Sequence, residues 1–126
     1  MPSSPRRRRG RLSRSGDFDR VYREGRSHSN RYVVLYAFPR SEDDAGETRL
    51  GISVGRKVGG AVDRNKIKRA LREAFWELAE RMPEGYDFVL VARPDIADLV
   101  GREGTRGALG AIEEVVAEGG LRGGGS

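Results

Sequence analysis

Arg64-Asn65-Lys66-Ile67-Lys68-Arg69-Ala70-Leu71-Arg72 is the stretch on which the reading of this chain turns. It is basic, and it runs directly into an apolar stripe. Ile67, Leu71, Ala74, Phe75, Leu78 and Met82 recur at steps of three and four, the period of an amphipathic helix. At about 100° per residue they share one side. Asn65, Lys68, Arg69 and Arg72 project from a neighbouring side, and Glu73, Glu77 and Glu80 from a third. The pattern predicts one helix with a core face, a cationic face and an acidic face. It starts between Ala61 and Arg64, with Asp63 a candidate cap, and Pro83 and Gly85 end it.

Strand-like runs flank this helix. Phe88-Val89-Leu90-Val91-Ala92, within Tyr86–Arg93, is apolar throughout and reads as a strand covered on both faces. Thr48 to Val54 reads as an earlier strand, with Leu50, Ile52 and Val54 facing one way and Arg49, Gly51, Ser53 and Gly55 the other. Strand, helix, strand makes the later run a candidate parallel partner of an earlier one. Arg31 to Phe38 is a further strand, in which Val33, Leu35 and Ala37 alternate with Tyr32, Val34, Tyr36 and Phe38. The acidic Arg40–Glu47 connection reads as a hairpin joining Arg31–Phe38 to Thr48–Val54. In that pairing the small residues of Thr48–Val54 either mark bulges or leave space beside the tyrosines, where an unpaired base can lie flat.

The rest of the chain is less patterned. Ser15 is a candidate cap for a short helix, with Asp17 and Asp19 in its first turn and Phe18, Val21 and Tyr22 on one face. Pro94 to Asp98 reads as a turn of helix, and Thr105 to Glu118 as a final helix with Leu109, Ile112 and Val116 together. Residues 1–12 read as a flexible basic arm, 13–118 as a single α/β domain, and 119–126 as a flexible glycine-rich tail.

Charge is segregated. The net charge is +5, yet residues 1–40 hold eleven Lys/Arg against three acids, and residues 49–72 hold eight against one. Residues 73–126 hold five against eleven. Such separation favours a polyanion on one face. A cationic helix would also serve DNA, but the aromatic strand argues for RNA or single strands, whose bases are free to stack. With no cysteine, disulfides and thiolate metal sites are excluded. No apolar run approaches membrane-spanning length and no secretory signal is evident, so the expected location is cytoplasmic.

A protein-borne active site is not expected. His28 is the only histidine, and no second histidine or cysteine stands ready for a metal site or a Cys/His pair. Gly51 to Gly60 is glycine-rich but has neither the Walker nor the Rossmann spacing. The carboxylates sit on apparent surface faces. No residue is assigned as catalytic or metal-binding.

Several stretches resemble one family. They are Phe18-Asp19-Arg20-Val21-Tyr22, Asn30 to Tyr36, Gly51-Ile52-Ser53-Val54-Gly55-Arg56-Lys57, and Ala61 to Phe75 with its Arg-Asn-x-x-Lys-Arg-x-x-Arg pattern. In order and spacing, over about residues 11 to 94, they resemble the protein subunit of bacterial ribonuclease P. The resemblance implies an α+β fold, a two-layer α/β sandwich like that of a ribosomal protein domain. It implies a four-stranded mixed sheet, a left-handed βαβ crossover around the basic helix, and an extra strand near Arg26–Asn30. It also implies an endoribonuclease whose catalyst is an RNA subunit, with Mg²⁺ held mainly by that RNA and the substrate. The partners would be the catalytic RNA and precursor tRNA, with neither DNA nor membrane involved, and the product would be the mature tRNA 5′ end. Carried over by position, Arg64, Asn65, Lys68, Arg69 and Arg72 would face the catalytic RNA, extended by Arg56 and Lys57. Phe18, Tyr22, Arg31, Val34, Tyr36 and Ser53 would form a groove for the single-stranded 5′ leader. Gly55 and Arg56 depart from the serine and lysine types more usual there, and Trp76 lies near the cationic face. The alternatives are a non-catalytic RNA-binding or ribosome-associated protein, and a protein-only nuclease, which the lack of a metal constellation disfavours.

Overall fold

The apolar run at residues 88–92 lies in the middle of the molecule. The computed structural model describes residues 8–12, 14–40 and 47–120. In chain order the elements are β1 (Arg8–Arg11), α1 (Ser15–Glu24), β2 (Arg26–Ser29), β3 (Val33–Pro39), β4 (Glu47–Ser53), α2 (Ala61–Ala79), β5 (Tyr86–Ala92) and α3 (Ile96–Glu118). The strands form one mixed sheet in the order β1-β4-β5-β3-β2. β5 pairs parallel with β4 and antiparallel with β3. α2 is the crossover between the two parallel neighbours β4 and β5.

This order corrects the hairpin expectation. β3 and β4 run in opposite directions, but β5 lies between them. The reason is burial. β5 is apolar on both faces, with Phe88, Val89 and Leu90 fully buried, so the centre is where the most of its apolar surface is removed from water. The acidic connection at 41–46, the start of the arm at 1–7 and the tail at 121–126 lie outside the described residues.

The sheet has five strands rather than four. The extra strand near Arg26 is β2, antiparallel to β3. The further one is β1, read from sequence as part of a flexible arm; it pairs parallel with β4, Arg8 opposite Glu47 through Arg11 opposite Leu50.

α2 and α3 cover one face of the sheet. Ile67, Leu71, Ala74, Phe75 and Leu78 of α2 are buried, as the stripe predicts, together with Met82 beyond its end. They meet Leu35 of β3, Leu50 of β4, Phe88 and Leu90 of β5, and Ile96, Ile112 and Val115 of α3 in one core. The Phe75 and Phe88 rings lie 5.2 Å apart. α2 begins after Gly60 with no side-chain cap; Asp63 sits in its first turn instead, where a carboxylate still favours the helix dipole. Ser15 likewise is the first residue of α1 and not its cap. α3 is two helices that meet at a kink at Gly104, just before the Thr105 start expected from sequence; the Gly104 φ of 64° and ψ of −148° belong to a region that only glycine occupies readily. α1 covers part of the opposite face, where Leu12, Val21 and Val89 form a small second cluster with Phe18, Tyr36, Phe38 and Val91 packed around it.

One turn departs from strict alternation. Asn30 Oδ1 accepts the backbone N–H groups of Tyr32 and Val33, each at 2.9 Å. Its Nδ2 donates to the Ala111 carbonyl and to Glu114 of α3. The strand therefore starts at Val33, and Tyr32 packs towards the α2–α3 core instead of sharing the face of Tyr36.

Candidate nucleic-acid interface

The cationic face of α2 is built as its spacing predicts. Asn65, Arg69 and Arg72 are exposed, and Arg64 and Lys68 are half-buried, beside the buried stripe of Ile67 and Leu71. Arg56 and Lys57 are exposed in the turn that leads from β4 to α2. Among the described residues, every salt bridge lies elsewhere: on Arg20, Arg31, Arg40, Arg49 and Arg102. Arg64 Nε is screened from solvent without an acceptor among the described residues.

Phe18, Tyr22 and Tyr36 gather on the opposite face of the sheet, around α1. The Tyr22 and Tyr36 rings meet edge to face at 4.9 Å, and Phe18 lies 6.2 Å from Tyr22. Tyr22 hydrogen-bonds Ser53, which lowers its pKa, but partial burial outweighs this and raises the phenol above its ordinary value. Ser53, Val91 and Val34 are register partners in one row across β4, β5 and β3. Phe18, Tyr22, Val34, Tyr36 and Ser53 therefore do share one surface. Arg31 does not join their contacts: it is held by Asp95 at 3.2 Å and lies over the Tyr32 ring.

The space that the small residues of β4 would leave is filled from within. A Cβ on Gly51 would lie 2.5 Å from Phe18 Cζ, so the glycine is what lets the Phe18 ring settle on the sheet. Val89, not a tyrosine, is the neighbour of Gly51. Sequence reasoning missed Val91, a half-buried apolar residue of this surface; a strand apolar on both faces gives no parity until its neighbours are known. It also missed β1, which sets Arg9 and Arg11 beside α2. The Arg9 guanidinium lies 5.2 Å above the Trp76 ring.

One set of charges belongs to the fold. Asp87 of β5 is buried, contrary to the expectation that carboxylates lie on the surface. Arg49 grips it with two hydrogen bonds, Nε to Oδ1 at 2.8 Å and Nη2 to Oδ2 at 2.7 Å. Arg40 approaches the same carboxylate at 3.6 Å. The Asp87 bond raises the Arg49 pKa further above its ordinary value. Among the described residues no three His, Cys, Asp or Glu side chains converge to hold a metal ion.

The model of the Ribonuclease P family matches residues 7–111, a span that includes both surfaces. The chain belongs to the ribonuclease P protein family. The ribonuclease P protein component of Pelotomaculum thermopropionicum is 43% identical over 88 residues, 70% of this chain and 76% of that one. The Staphylococcus aureus RNase P protein superposes with a TM-score of 0.76 at 34% identity, covering 89% of this chain and 96% of that chain. The Thermotoga maritima RNase P protein gives 0.73 at 31% identity, covering 86% and 96%. Membership carries a role in ribonuclease P and in tRNA processing, with the RNase P RNA as the implied partner. No helix among the described residues is long and apolar enough to cross a membrane.

Proposed function

We propose that this protein is the subunit of ribonuclease P that docks on a catalytic RNA and holds the single-stranded 5′ leader of precursor tRNA. In this reading the RNA cleaves the leader endonucleolytically in a Mg²⁺-dependent step, in the cytoplasm, and leaves the mature tRNA 5′ end. The observation that carries it is the pairing of two unlike surfaces on one sheet: an α2 face whose cations have no ion-pair partner among the described residues, and an aromatic face around Tyr22 and Tyr36. Arginine forks suit phosphates, and exposed rings suit unpaired bases.

Each surface has its task. Arg56, Lys57, Arg64, Asn65, Lys68, Arg69 and Arg72 bind the phosphates of the folded RNA and set the protein's register on it. Phe18, Tyr22, Val34, Tyr36 and Ser53 receive the leader. Arg31 serves only from the end of this surface, against Asp95. Mg²⁺ would be held mainly by the RNA and the substrate and would supply charge neutralisation for the cleavage; the protein's own part is to bind and orient.

Reconstitution tests this. Protein freed of RNA leaves precursor tRNA intact, and its addition to a cognate catalytic RNA restores cleavage at low Mg²⁺. Cleavage by the RNA-free protein would overturn the assignment. Failure to stimulate any cognate RNA would favour a non-catalytic RNA-binding role.

A further inference from the structure

Trp76 is the only tryptophan of the chain and has no part in either surface as described so far. It is half-buried near the C-terminal end of the cationic stretch, edge-on to Phe75 at 5.1 Å. Beside it opens a 440 Å³ cavity between β1, the edge of β4 and α2. Arg9 and Arg11 of β1 and Lys68 and Arg72 of α2 line it, and its described lining holds no carboxylate. Its apolar floor includes Leu50, Ile52 and Phe18. β1 pairs with β4 only as far as Leu50, so Gly51 and Ile52 border the cavity at a strand edge that β1 no longer covers.

We infer that this cavity is a pocket for a single unpaired nucleotide of the catalytic RNA. The inference rests on the docking role proposed above for α2 and adds to it a discrete subsite. Four cations without a carboxylate in the described lining suit a phosphodiester and repel a basic ligand. An indole and an aliphatic floor suit the face of a base, which stacks on an aromatic ring whatever its identity. Arg9, already above the indole, closes the stack from the other side as a guanidinium plane. The volume is in the range of small-ligand sites, too small for a duplex. The lining also explains why the arginine-rich start of the chain is tied into the sheet: β1 delivers Arg9 and Arg11 to the same place as Lys68 and Arg72.

Because Trp76 is the only tryptophan, its emission reads the pocket directly. The full-length protein is titrated with AMP, with UMP, and with inorganic phosphate at matched ionic strength. Both nucleotides quench Trp76 saturably and phosphate does not. Arg9→Gln, an exposed change on β1, weakens nucleotide binding by about threefold or more. Catalytic RNA added to the full-length protein produces the same quenching, and a leader oligonucleotide alone does not. Absence of saturable quenching, quenching by phosphate equal to that by AMP, or unchanged binding in Arg9→Gln would overturn the pocket. Quenching by the leader oligonucleotide but not by the catalytic RNA would overturn the assignment of the nucleotide to that RNA. The outcomes separate the two readings. A protein that restores cleavage without Trp76 responding sinks the pocket alone, and one that binds nucleotides without restoring cleavage sinks the subunit role.

Discussion

Arginines stand in two regions of this molecule and do opposite work. Around Asp87, Arg49 and Arg40 are spent on the fold. They join the ends of β3, β4 and β5 through one buried carboxylate, which has 2% of its side chain exposed against 25% for Arg49 and 6% for Arg40. On α2, Arg64, Arg69 and Arg72 stand beside a buried stripe and pair with no acid among the described residues. A buried charge demands its partner inside the protein, because low dielectric makes an unpaired one costly. An exposed charge has no such demand and can wait for an external polyanion. The same residue type is thus structural or interfacial according to whether a carboxylate is buried beside it.

The sharpest way to break this contrast is to remove the shared acid. Asp87→Ala removes the buried carboxylate that both guanidinium groups share, leaving Arg40 with Glu47 at 3.5 Å and Arg49 with Asp17 at 3.8 Å. Stability should fall by roughly 3–5 kcal/mol, the cost of breaking a buried pair from one side. Urea unfolding followed by far-UV circular dichroism measures it. A loss below about 1 kcal/mol would place the cluster with exposed ion pairs and remove the distinction between the two regions.

The opposite result is expected on α2. Replacing Arg69 and Arg72 together by alanine should leave urea stability within about 1 kcal/mol, as exposed changes on a helix do. Affinity for the catalytic RNA should fall, and the slope of log affinity against log salt should shrink by roughly 1 to 2 if each arginine meets one phosphate. Filter binding over a salt series reads both. An unchanged slope would show that these cations do not meet phosphates.

The difference between the regions also marks what could be read from sequence. The α2 stripe was legible because Ile67 to Leu78 repeats the helical period over several turns, and the cationic face follows from the same wheel. β5 was legible as a strand from its unbroken apolar run, but its place was not. A strand apolar on both faces states that it is central without saying between which neighbours. That missing fact undid the hairpin, the neighbour of Gly51 and the role of Val91. β1 carries four polar or small residues, Arg8 to Arg11, with no alternation, and becomes a strand only because the edge of β4 offers unpaired backbone groups. Tyr32 left the aromatic face because Asn30 delays the strand to Val33, two residues after Arg31. The Asp87 cluster was invisible because its partners stand 38 and 47 positions away, at Arg49 and Arg40.

The aromatic face tests the contrast from its other side, since its selectivity should come from stacking and not from charge. Tyr36→Ala removes one wall of the Tyr22–Tyr36 pair. Binding of precursor tRNA with a long leader should weaken by roughly 1–3 kcal/mol, the worth of one stacked base. Binding of mature tRNA by the same holoenzyme should hardly change. Equal losses for both ligands would count against a leader groove.

The smallest expected effect lies in the phenol of Tyr22. Its hydroxyl is tied to Ser53, and burial raises its pKa above the ordinary value near 10. For a group that is neutral when protonated, a raised folded pKa means that the native state holds its proton more tightly than the unfolded chain. The stabilisation is fully present below the unfolded value and is lost as pH rises from there through the folded one. Tyr22 thus stays neutral at physiological pH, and the groove it lines presents no phenolate to repel a leader phosphate. Tyr22→Phe gives up the Ser53 hydrogen bond at a site 38% exposed. The cost near neutral pH should be at most about 1 kcal/mol. It should also flatten the decline of stability above pH 10, measured as thermal midpoints across an alkaline series. An alkaline decline of the same steepness in Tyr22→Phe would assign that limb to other groups and leave the Tyr22–Ser53 contact with a packing role only.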